Sequence, residues 1–414
     1  MELTKYSLGV GDRFTHQAKA QLAAIKKAED LGILISPVWN KSFREHQIIH
    51  SRPEDTRIEA DLAVRDLQWK NPYFVDADHV GFKTIDHFID SCDFFTLDVA
   101  DYIGKRSSDT NIRTFVGNHK SYCGELEIPG VAGIIKIDEA MITKAAEKFL
   151  FAVEEAGNVY RHLLDKKGGD NFVVEVSMDE TDEPQTPIEM LFILAAAAQE
   201  GIPVKTIAPK FSGRFNKGVD YVGDVELFSR EFEEDIAVIK FAVKEFKLPE
   251  NLKLSVHSGS DKFSIYGPIR KAIKKYDAGL HLKTAGTTWL EELIGLASAG
   301  GDGLQIAKEI YRSAYNRYDE LCGPYRTVID IDTDKLPVPD EVDKWNGERY
   351  AAVLRHDQSN PYYNLNFRQL LHVGYKVASE MGDRYLIALT KYESIIAENV
   401  IENLFERHIK KVFL

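Results

Sequence analysis

The chain has 414 residues, of which 44% are hydrophobic and 28% charged, and its 52 Lys and Arg against 65 Asp and Glu give a net charge of −13. This charge argues against nucleic acid or an anionic membrane as the main partner, because such binding needs clustered cations. No apolar stretch approaches the roughly 20 residues that cross a bilayer, and the N-terminus lacks a signal-peptide pattern. Three cysteines, Cys92, Cys123 and Cys322, form neither a disulfide framework nor a CxxC metal motif. The sequence predicts a folded, cytoplasmic protein.

Short apolar runs alternate with amphipathic stretches of helical length along most of the chain. The runs with the length of a buried strand are Ile33–Val38, Tyr73–Val75, Phe94–Leu97, Phe172–Val176, Val204–Ala208, Leu252–Val256 and Gly279–Leu282. The predicted helices are Pro53–Leu67, Ile137–Leu164, Pro187–Glu200, Phe228–Phe246, Thr288–Ser298 and Gly303–Asp319. Strands that alternate with helices indicate a parallel sheet, and polar residues after several strand ends favour a (β/α)8 TIM-like barrel with its active site at that rim.

Two irregular segments interrupt this alternation and suggest the domain organisation. Residues 105–133 are rich in predicted loops, and we interpret them as an insertion near the rim of a catalytic barrel that spans residues 1–330. The acidic, Pro-containing stretch Asp330–Trp345 predicts a linker, which we place at residues 331–345. A C-terminal segment, residues 346–414, is then expected to be mainly helical, above all over Asn366–Leu414, and to pack on the barrel.

Three histidines lie at or near the predicted carboxyl ends of strands: His79, His257 and His281. In a barrel these imidazoles would converge at one mouth, where three nitrogen ligands with open positions suit a catalytic divalent metal ion. The alternative is that each is a hydrogen-bonded histidine of the core or rim. His356 is the reserve ligand and a further candidate for substrate binding.

Carboxylates near these histidines supply candidates for acid–base catalysis. Asp76 and Asp78 lie two residues apart, so they point to the same side of an extended segment, with His79 on the other side unless the strand has ended. Glu175 stands within an apolar strand, where a carboxylate is costly unless it is paired or coordinated. We therefore expect Asp78 and Glu175 to be catalytic, the alternative for Glu175 being a buried salt bridge. Asp98 and Asp101 are weaker candidates for the same role, because acids at the end of a strand often cap the next helix.

Cationic and small residues after other strands could hold an anionic substrate. The candidates are Lys210, Ser258, Lys262 and Lys283, with the alternative that they belong to ordinary polar loops. The Gly9-Val10-Gly11 stretch lacks both the GxGxxG spacing and a convincing preceding strand, so it does not predict a nucleotide site.

Several longer stretches carry a resemblance to a known family. They are Gly11–Phe14, Pro37–Ser42, Arg44–His46, Tyr73–His79, Pro209–Phe211, His257–Phe263, His281–Thr288 and Arg368–Lys376. With these stretches the chain resembles the tagaturonate epimerase family of hexuronate, galacturonate and pectin catabolism. The resemblance implies a metal-dependent isomerase that acts on a small keto-uronate and interconverts D-tagaturonate and D-fructuronate. It leaves the metal open among Zn, Mn, Ni, Co and Fe, and it leaves a homo-oligomer open as well.

The implied reaction constrains the mechanism. The two keto-uronates differ at a carbinol carbon β to the ketone, so the ketone does not acidify the C–H bond at that carbon. A retro-aldol cleavage and re-addition avoids this difficulty, with Asp78 and Glu175 as the acid–base pair. Proton exchange between two opposed carboxylates and transient oxidation by a bound nicotinamide are the competing routes. A metal-dependent sugar-acid aldolase, a uronate isomerase and a non-catalytic sugar-acid binding protein are the alternative functions.

Overall fold

Eight parallel strands close into a barrel in the computed structural model, which describes residues 2–181, 183–284 and 287–414. The strands of the barrel are β1 (Tyr6–Gly11), β2 (Ile35–Ser42), β3 (Phe74–Val80), β4 (Phe94–Asp98), β7 (Val173–Ser177), β8 (Thr206–Ala208), β9 (Lys253–Val256) and β10 (Leu280–Thr284). They follow one another around the barrel in this order, and β10 pairs again with β1. The predicted (β/α)8 TIM-like fold is confirmed.

Strand β1 is the barrel strand that the sequence analysis did not predict. Its inward positions carry the small residues Ser7, Gly9 and Gly11, so it lacks the continuous apolar run by which the other strands were recognised. A Cβ atom at Gly9 would lie only 2.7 Å from Cγ of Lys283, which occupies the space above this strand. The absence of a side chain at Gly9 therefore leaves room for a charged residue inside the barrel.

The two faces of each strand differ in chemistry. Outward side chains such as Val174 and Val176 join the large apolar core beneath the helices. Inward side chains form a small apolar floor and, above it, a polar layer. The floor consists of Leu3, Val38, Phe74, Phe94 and Val173. Because side chains alternate along a strand, Val173, Glu175 and Ser177 of β7 share the interior face, and the site therefore lies above an apolar floor.

The helices surround the barrel and cover part of its mouth. Up to β10 they are α1 (Ala18–Glu29), α2 (Phe43–Ile49), α3 (Pro53–Asp66), α4 (Asp109–His119), α5 (Glu139–Lys167), α6 (Pro187–Gln199), α7 (Val225–Glu245) and α8 (Phe263–Lys275). After β10 they are α9 (Thr287–Ala299), α10 (Gly301–Asn316), α11 (Tyr318–Cys322), α12 (Pro339–Val342), α13 (Gly347–Leu354), α14 (Leu365–Val373), α15 (Tyr375–Glu380), α16 (Asp383–Lys391), α17 (Glu393–Glu402) and α18 (Lys410–Val412). A π-helical stretch, Asn403–Ile409, joins α17 to α18.

Residues 105–133 are more ordered than the predicted loop-rich insertion. They contain α4 and the first strand of a small antiparallel hairpin, in which β5 (Gly124–Leu126) pairs with β6 (Ile135–Ile137) just beyond the segment. The segment packs on the outer helices, since Phe115 of α4 contacts Phe192 of α6 and Tyr122 contacts Phe246 after α7.

The C-terminal helices pack against the first and last helices of the barrel. Trp289 Nε1 of α9 donates a hydrogen bond to the Leu371 carbonyl of α14, and α17 contacts both α1 and α9. Within the described parts of the chain, no helix combines the length and the apolar character that crossing a bilayer requires.

Candidate functional site

A buried lysine organises the centre of the barrel mouth. Lys283 Nζ of β10 lies 2.9 Å from Asp76 Oδ2, 2.9 Å from Asp78 Oδ1 and 3.0 Å from Glu175 Oε1, and it donates a 2.6 Å hydrogen bond to Thr96 Oγ1. These partners belong to β3, β4 and β7, none of which neighbours β10 in the sheet, so the contacts cross the interior of the barrel. The lysine therefore gathers three carboxylates from the opposite wall.

Two imidazoles and a further carboxylate border this cage. His257 Nε2 lies 2.7 Å from Glu175 Oε1, and its Nδ1 lies 3.2 Å from Asp179 Oδ1. His79 packs edge-on against His257, with 5.1 Å between ring centroids, and its Nδ1 lies 3.3 Å from Asp98 Oδ2. One ligand atom each from His79, Asp179 and His257 lies within 4.8 Å of the others, a spacing that suits a metal ion. We call these residues and the lysine cage together the mouth cluster: Asp76, Asp78, His79, Thr96, Asp98, Glu175, Asp179, His257 and Lys283.

An irregularity at the end of β3 brings His79 to the same side as Asp78. The pairing of β3 with β4 shifts register between Ala77 and Val80, and His79 adopts a left-handed backbone with φ of 54°. In a regular strand the side chain of His79 would point away from the interior, and a bulge re-aims it. Residues other than glycine adopt this conformation less readily, although histidine tolerates it better than most.

The ionisation of the cluster reflects burial opposed by neighbouring charges. Burial raises the pKa of Asp76 to about 7, with Asp78 and Glu175 adding to the effect of burial and Lys283 opposing it. For Asp78, burial acts in the same direction, but Lys283 and His79 lower its pKa to about 2. Burial disfavours the charged imidazoles, yet the adjacent carboxylates raise the pKa of His79 to about 10 and that of His257 to about 9. The site thus holds more negative charge than its lysine can balance.

The structure brings together five of the residues that the sequence analysis singled out. Both predicted catalytic acids, two predicted metal ligands and one predicted substrate-binding lysine meet there: Asp78, Glu175, His79, His257 and Lys283. Lys283, however, is enclosed by protein carboxylates, so its ammonium is not free to bind a substrate carboxylate.

His281 does not join the candidate metal ligands. It points into the barrel one layer below Lys283, where its Nδ1 lies 2.9 Å from Ser7 Oγ and its ring packs on Phe94. Burial and the charge of Lys283 lower the pKa of His281 to about 3. Residues two apart on a strand share a face of the sheet but lie at different heights along the barrel axis. His281 is therefore too deep to join His79 and His257, contrary to the prediction of a third histidine ligand.

Two other predicted binding residues are held elsewhere. Lys262 Nζ donates to the carbonyls of Asn216, Val219 and Ser260, so all three of its N–H groups are used. His356 belongs to a second buried group, where its Nδ1 lies 3.3 Å from Asp261 Oδ1. These contacts do not support roles for Lys262 and His356 in binding substrate, nor for His356 as a metal ligand.

The remaining candidates lie at the rim. Lys210 and Ser258 follow β8 and β9, are half-buried, and have side chains without a polar partner among the residues that the structure describes. Asp98 both contacts His79 and accepts a hydrogen bond from the Ala100 amide, so it caps the next turn as well. Asp101 is exposed.

Asp179 is the ligand candidate that the sequence analysis missed. It follows β7 by two residues, accepts a 2.6 Å hydrogen bond from Ser177 Oγ, and is held ionised because His257 overcomes the effect of burial and lowers its pKa. It stands in an acid-rich run that resembles an ordinary surface loop. In the sequence, only its position shortly after the end of a predicted strand distinguishes Asp179 from other loop acids.

Comparisons with known proteins agree on one family. The family model described as UxaE, tagaturonate epimerase, matches residues 1–412. The tagaturonate/fructuronate epimerase of Thermotoga maritima is 29% identical in a match covering 97% of this chain and 80% of that protein. A glycerol-bound crystal structure of the fructuronate-tagaturonate epimerase UxaE from Cohnella laeviribosi has a TM-score of 0.81 at 21% identity, covering 100% of this chain and 82% of that chain. The native crystal structure of the same enzyme has a TM-score of 0.80 at 21% identity, covering 98% and 81%.

Proposed function

Because this chain belongs to the UxaE family of tagaturonate epimerases, we propose that it interconverts D-tagaturonate and D-fructuronate with a divalent metal ion held by His79, Asp179 and His257. It is a carbohydrate epimerase of hexuronate catabolism, which places it in the isomerase class. The observation that supports the chemistry best is the mouth cluster, in which carboxylates, imidazoles and one lysine converge at the carboxyl ends of the barrel strands, where (β/α)8 enzymes carry their active sites.

The donor set fits a divalent ion. Two imidazoles and a carboxylate are ligands that Zn, Mn, Ni, Co and Fe accept. The carboxylates outnumber the single lysine, and the raised pKa values of His79 and His257 indicate a site that attracts positive charge. A bound divalent ion would act as a Lewis acid toward the ketone oxygen of the substrate. Its binding would displace the protons of both imidazoles, so metal affinity would rise with pH.

The proposed reaction is a retro-aldol cleavage followed by re-addition. A base takes the proton from the hydroxyl on the carbon to be inverted, and the bond between this carbon and the carbon next to the ketone breaks. The electron pair of that bond passes to the ketone fragment as an enediolate, and the other fragment becomes an aldehyde. The aldehyde turns, the bond forms again on its other face, and the proton returns to the new hydroxyl.

Asp78 and Glu175 are the proposed acid–base pair. Asp78 is ionised through Lys283 and keeps slight exposure toward the mouth, so it can accept the hydroxyl proton. Glu175 Oε1 is occupied by His257, Lys283 and Thr96, whereas its Oε2 has no hydrogen-bond partner among the described residues and can face a substrate hydroxyl. Asp78 and Glu175 come from β3 and β7, which both pair with β4, and both carboxylates contact the Lys283 ammonium, which occupies the space between them. This arrangement favours carbon–carbon cleavage over proton exchange between opposed carboxylates.

The deciding experiment is NMR of D-fructuronate in D2O with metal-loaded and chelator-stripped enzyme. We expect metal-dependent formation of D-tagaturonate without deuterium at the inverted carbon. Deuterium at that carbon would show that the reaction proceeds by proton exchange and not by carbon–carbon cleavage. Conversion by the stripped enzyme would show that the reaction needs no metal ion. Accumulation of two three-carbon fragments without epimer would indicate an aldolase, and no conversion with any metal would exclude epimerase activity.

The proposed setting is the cytoplasm. The three cysteines are free, which is typical of a reducing compartment.

A further inference from the structure

Three buried polar side chains, one just after β1, one on β2 and one on α14, lack the hydrogen-bond partners that burial normally requires. They are Arg13, Asn40 and His372, which are 6%, 2% and 2% exposed. Among the described residues, no hydrogen bond reaches Nε or Nη1 of Arg13, either polar atom of the Asn40 amide, or Nδ1 of His372. Buried polar groups are nearly always hydrogen-bonded. Together these atoms indicate a place for a polar group that accepts and donates hydrogen bonds, and the cation among them favours one that carries negative charge.

Asn40 connects this place to the mouth cluster. In the sheet Asn40 pairs in register with Gly11 on one side and with Asp76 on the other. A Cβ atom at Gly9 would lie 2.7 Å from Lys283 Cγ and 3.4 Å from Asn40 Oδ1, so the amide of Asn40 lies beside the lysine. Arg13 follows two residues after the end of β1. Asn40 thus lies next to both the mouth cluster and the end of β1, which Arg13 follows.

The C-terminal helices hold Arg13 in place. The Arg13 Cζ lies 3.7 Å from the ring centroid of Tyr375 in α15, which is the distance of a stacked guanidinium. Glu45 Oε1 lies 3.4 Å from Arg13 Nε without making a hydrogen bond, and Glu45 Oε2 is engaged by Ser42 in the capping box of α2. One face of the guanidinium is thus covered and Nε faces Glu45, while the end that carries Nη1 and Nη2 remains available for a planar, bidentate anion.

His372 borders the same region from α14. A Cβ atom at Gly218 in the loop after β8 would lie 3.2 Å from His372 Cδ2, so this helix closes against the loops of the barrel mouth. Burial and the nearby charge of Arg13 lower the pKa of His372, so its imidazole is neutral. The N–H of a neutral imidazole can donate to an anion as well.

We propose that Arg13, assisted by Asn40 and His372, binds the carboxylate of the keto-uronate and makes the enzyme specific for a sugar acid over a neutral sugar. This inference rests on the proposed function. Two of the lysines that the sequence analysis assigned to this role are engaged, Lys283 by carboxylates and Lys262 by carbonyls. In the retro-aldol reaction the substrate carboxylate stays on the aldehyde fragment. Arg13 therefore anchors this fragment while its carbonyl turns, which keeps the two fragments together.

The test compares D-fructuronate with its primary amide, which has nearly the same shape but no charge. We expect the unmodified enzyme to prefer the acid in kcat/KM by about 30- to 100-fold, as a charge-assisted bidentate contact supplies. Arg13→Met should lower kcat/KM for the acid by this factor and leave the amide within about threefold, and Arg13→Lys should restore part of the preference. Arg113→Met, on the exposed face of α4, is the control that keeps the acid preference.

Distinct outcomes would overturn the proposal. If Arg13→Met lowers kcat/KM for the acid and the amide by the same factor, Arg13 is structural. If the preference survives in Arg13→Met and disappears in Lys210→Met, the half-buried lysine after β8 binds the carboxylate instead. If the unmodified enzyme shows no preference for the acid, no charged subsite exists. If it epimerises no D-fructuronate at all, the proposed function has failed, which is a different result.

Discussion

Two groups of charged side chains are buried on the mouth side of this barrel, and they are built in opposite ways. The mouth cluster sets the carboxylates of Asp76, Asp78, Asp98, Glu175 and Asp179 against one lysine and two imidazoles. The second group, which we call the clamp, consists of Asp261, His356, Arg368 and His408. Both groups combine acids, cations and histidines, so composition alone does not separate them.

The clamp is balanced. Arg368 donates to Asp261 Oδ2 at 2.9 Å and to the carbonyls of Gly218 and Leu354, while the Asp261 amide donates to His408 Nε2. Burial lowers the pKa of both His356 and His408, which favours the neutral form of both imidazoles. The charge of the Asp261 carboxylate is therefore balanced by the Arg368 guanidinium alone. These contacts join the loops after β8 and β9 to the C-terminal helices. The balanced group thus holds elements together, whereas the unbalanced one retains negative charge, which suits the divalent ion that we propose.

The largest expected effect is on catalysis. Asp78→Asn keeps the shape of the side chain but removes the base, so kcat should fall by about 10²- to 10⁴-fold. The melting temperature should change little, because the variant relieves repulsion among the carboxylates. Initial rates by NMR and thermal unfolding of the same samples would measure both effects. A variant with normal kcat would show that Asp78 only holds Lys283.

The clamp should respond in the opposite way. Arg368→Met leaves Asp261 buried without its cation, and we expect a loss of about 3–5 kcal/mol in the free energy of unfolding. Turnover per folded molecule should stay close to normal. Arg355→Met is the matched control, since its pair with Glu402 is partly exposed and worth at most about 1 kcal/mol. Urea unfolding and active-site titration would measure the two properties. Unchanged stability together with lost turnover would assign the clamp to the active site.

How much of this could be predicted from the sequence differs between the fold and the site. The apolar runs predicted seven barrel strands, because the outer faces of these strands are buried under helices. Strand β1 was not predicted, because Ser7, Gly9 and Gly11, which leave space for Lys283, interrupt its apolar run. Strand ends predicted the convergence of Asp78, Glu175 and Lys283. The alternation of side chains along a strand predicts which face of the sheet a residue occupies, but not its height along the barrel axis. His281 was therefore expected at the mouth, whereas it lies one layer below Lys283.

Two further features of the site depend on contacts that no local pattern encodes. The position of His79 beside Asp78 follows from a bulge and a left-handed backbone, and the sequence left both arrangements open. Asp179 is a ligand candidate because it contacts His257, which is distant in the chain and adjacent only after the barrel closes. The local sequence around Asp179 therefore resembles any acidic loop.

The third prediction concerns the metal. Asp179→Ala should weaken binding of a divalent ion by about 10- to 100-fold, because one charged ligand is lost while His79 and His257 remain. Calorimetric titration of chelator-stripped protein with Zn²⁺ and Mn²⁺ would measure the affinity. Glu183→Ala, in the same acidic run, is the control that should bind normally. Equal losses in both variants would show a general effect of charge, and no loss in Asp179→Ala would remove Asp179 from the ligand set.

The smallest expected effect is on the pH dependence of stability, and it concerns His281, which lies below the mouth cluster. Because burial and Lys283 hold the folded pKa of His281 near 3, the unfolded chain takes up a proton below pH 6.5 that the folded chain refuses. The stability that His281 contributes is therefore present above pH 6.5 and is lost as pH falls toward 3. His281→Asn can keep the hydrogen bond to Ser7 but cannot titrate. Its free energy of unfolding should fall less steeply between pH 6 and 4, by up to about 1.4 kcal/mol per pH unit. Urea unfolding across this range would measure the slopes, with the exposed His50→Asn as control. Parallel slopes in His281→Asn and the unmodified protein would mean that His281 is protonated in the fold and shares the charge of the mouth cluster above it.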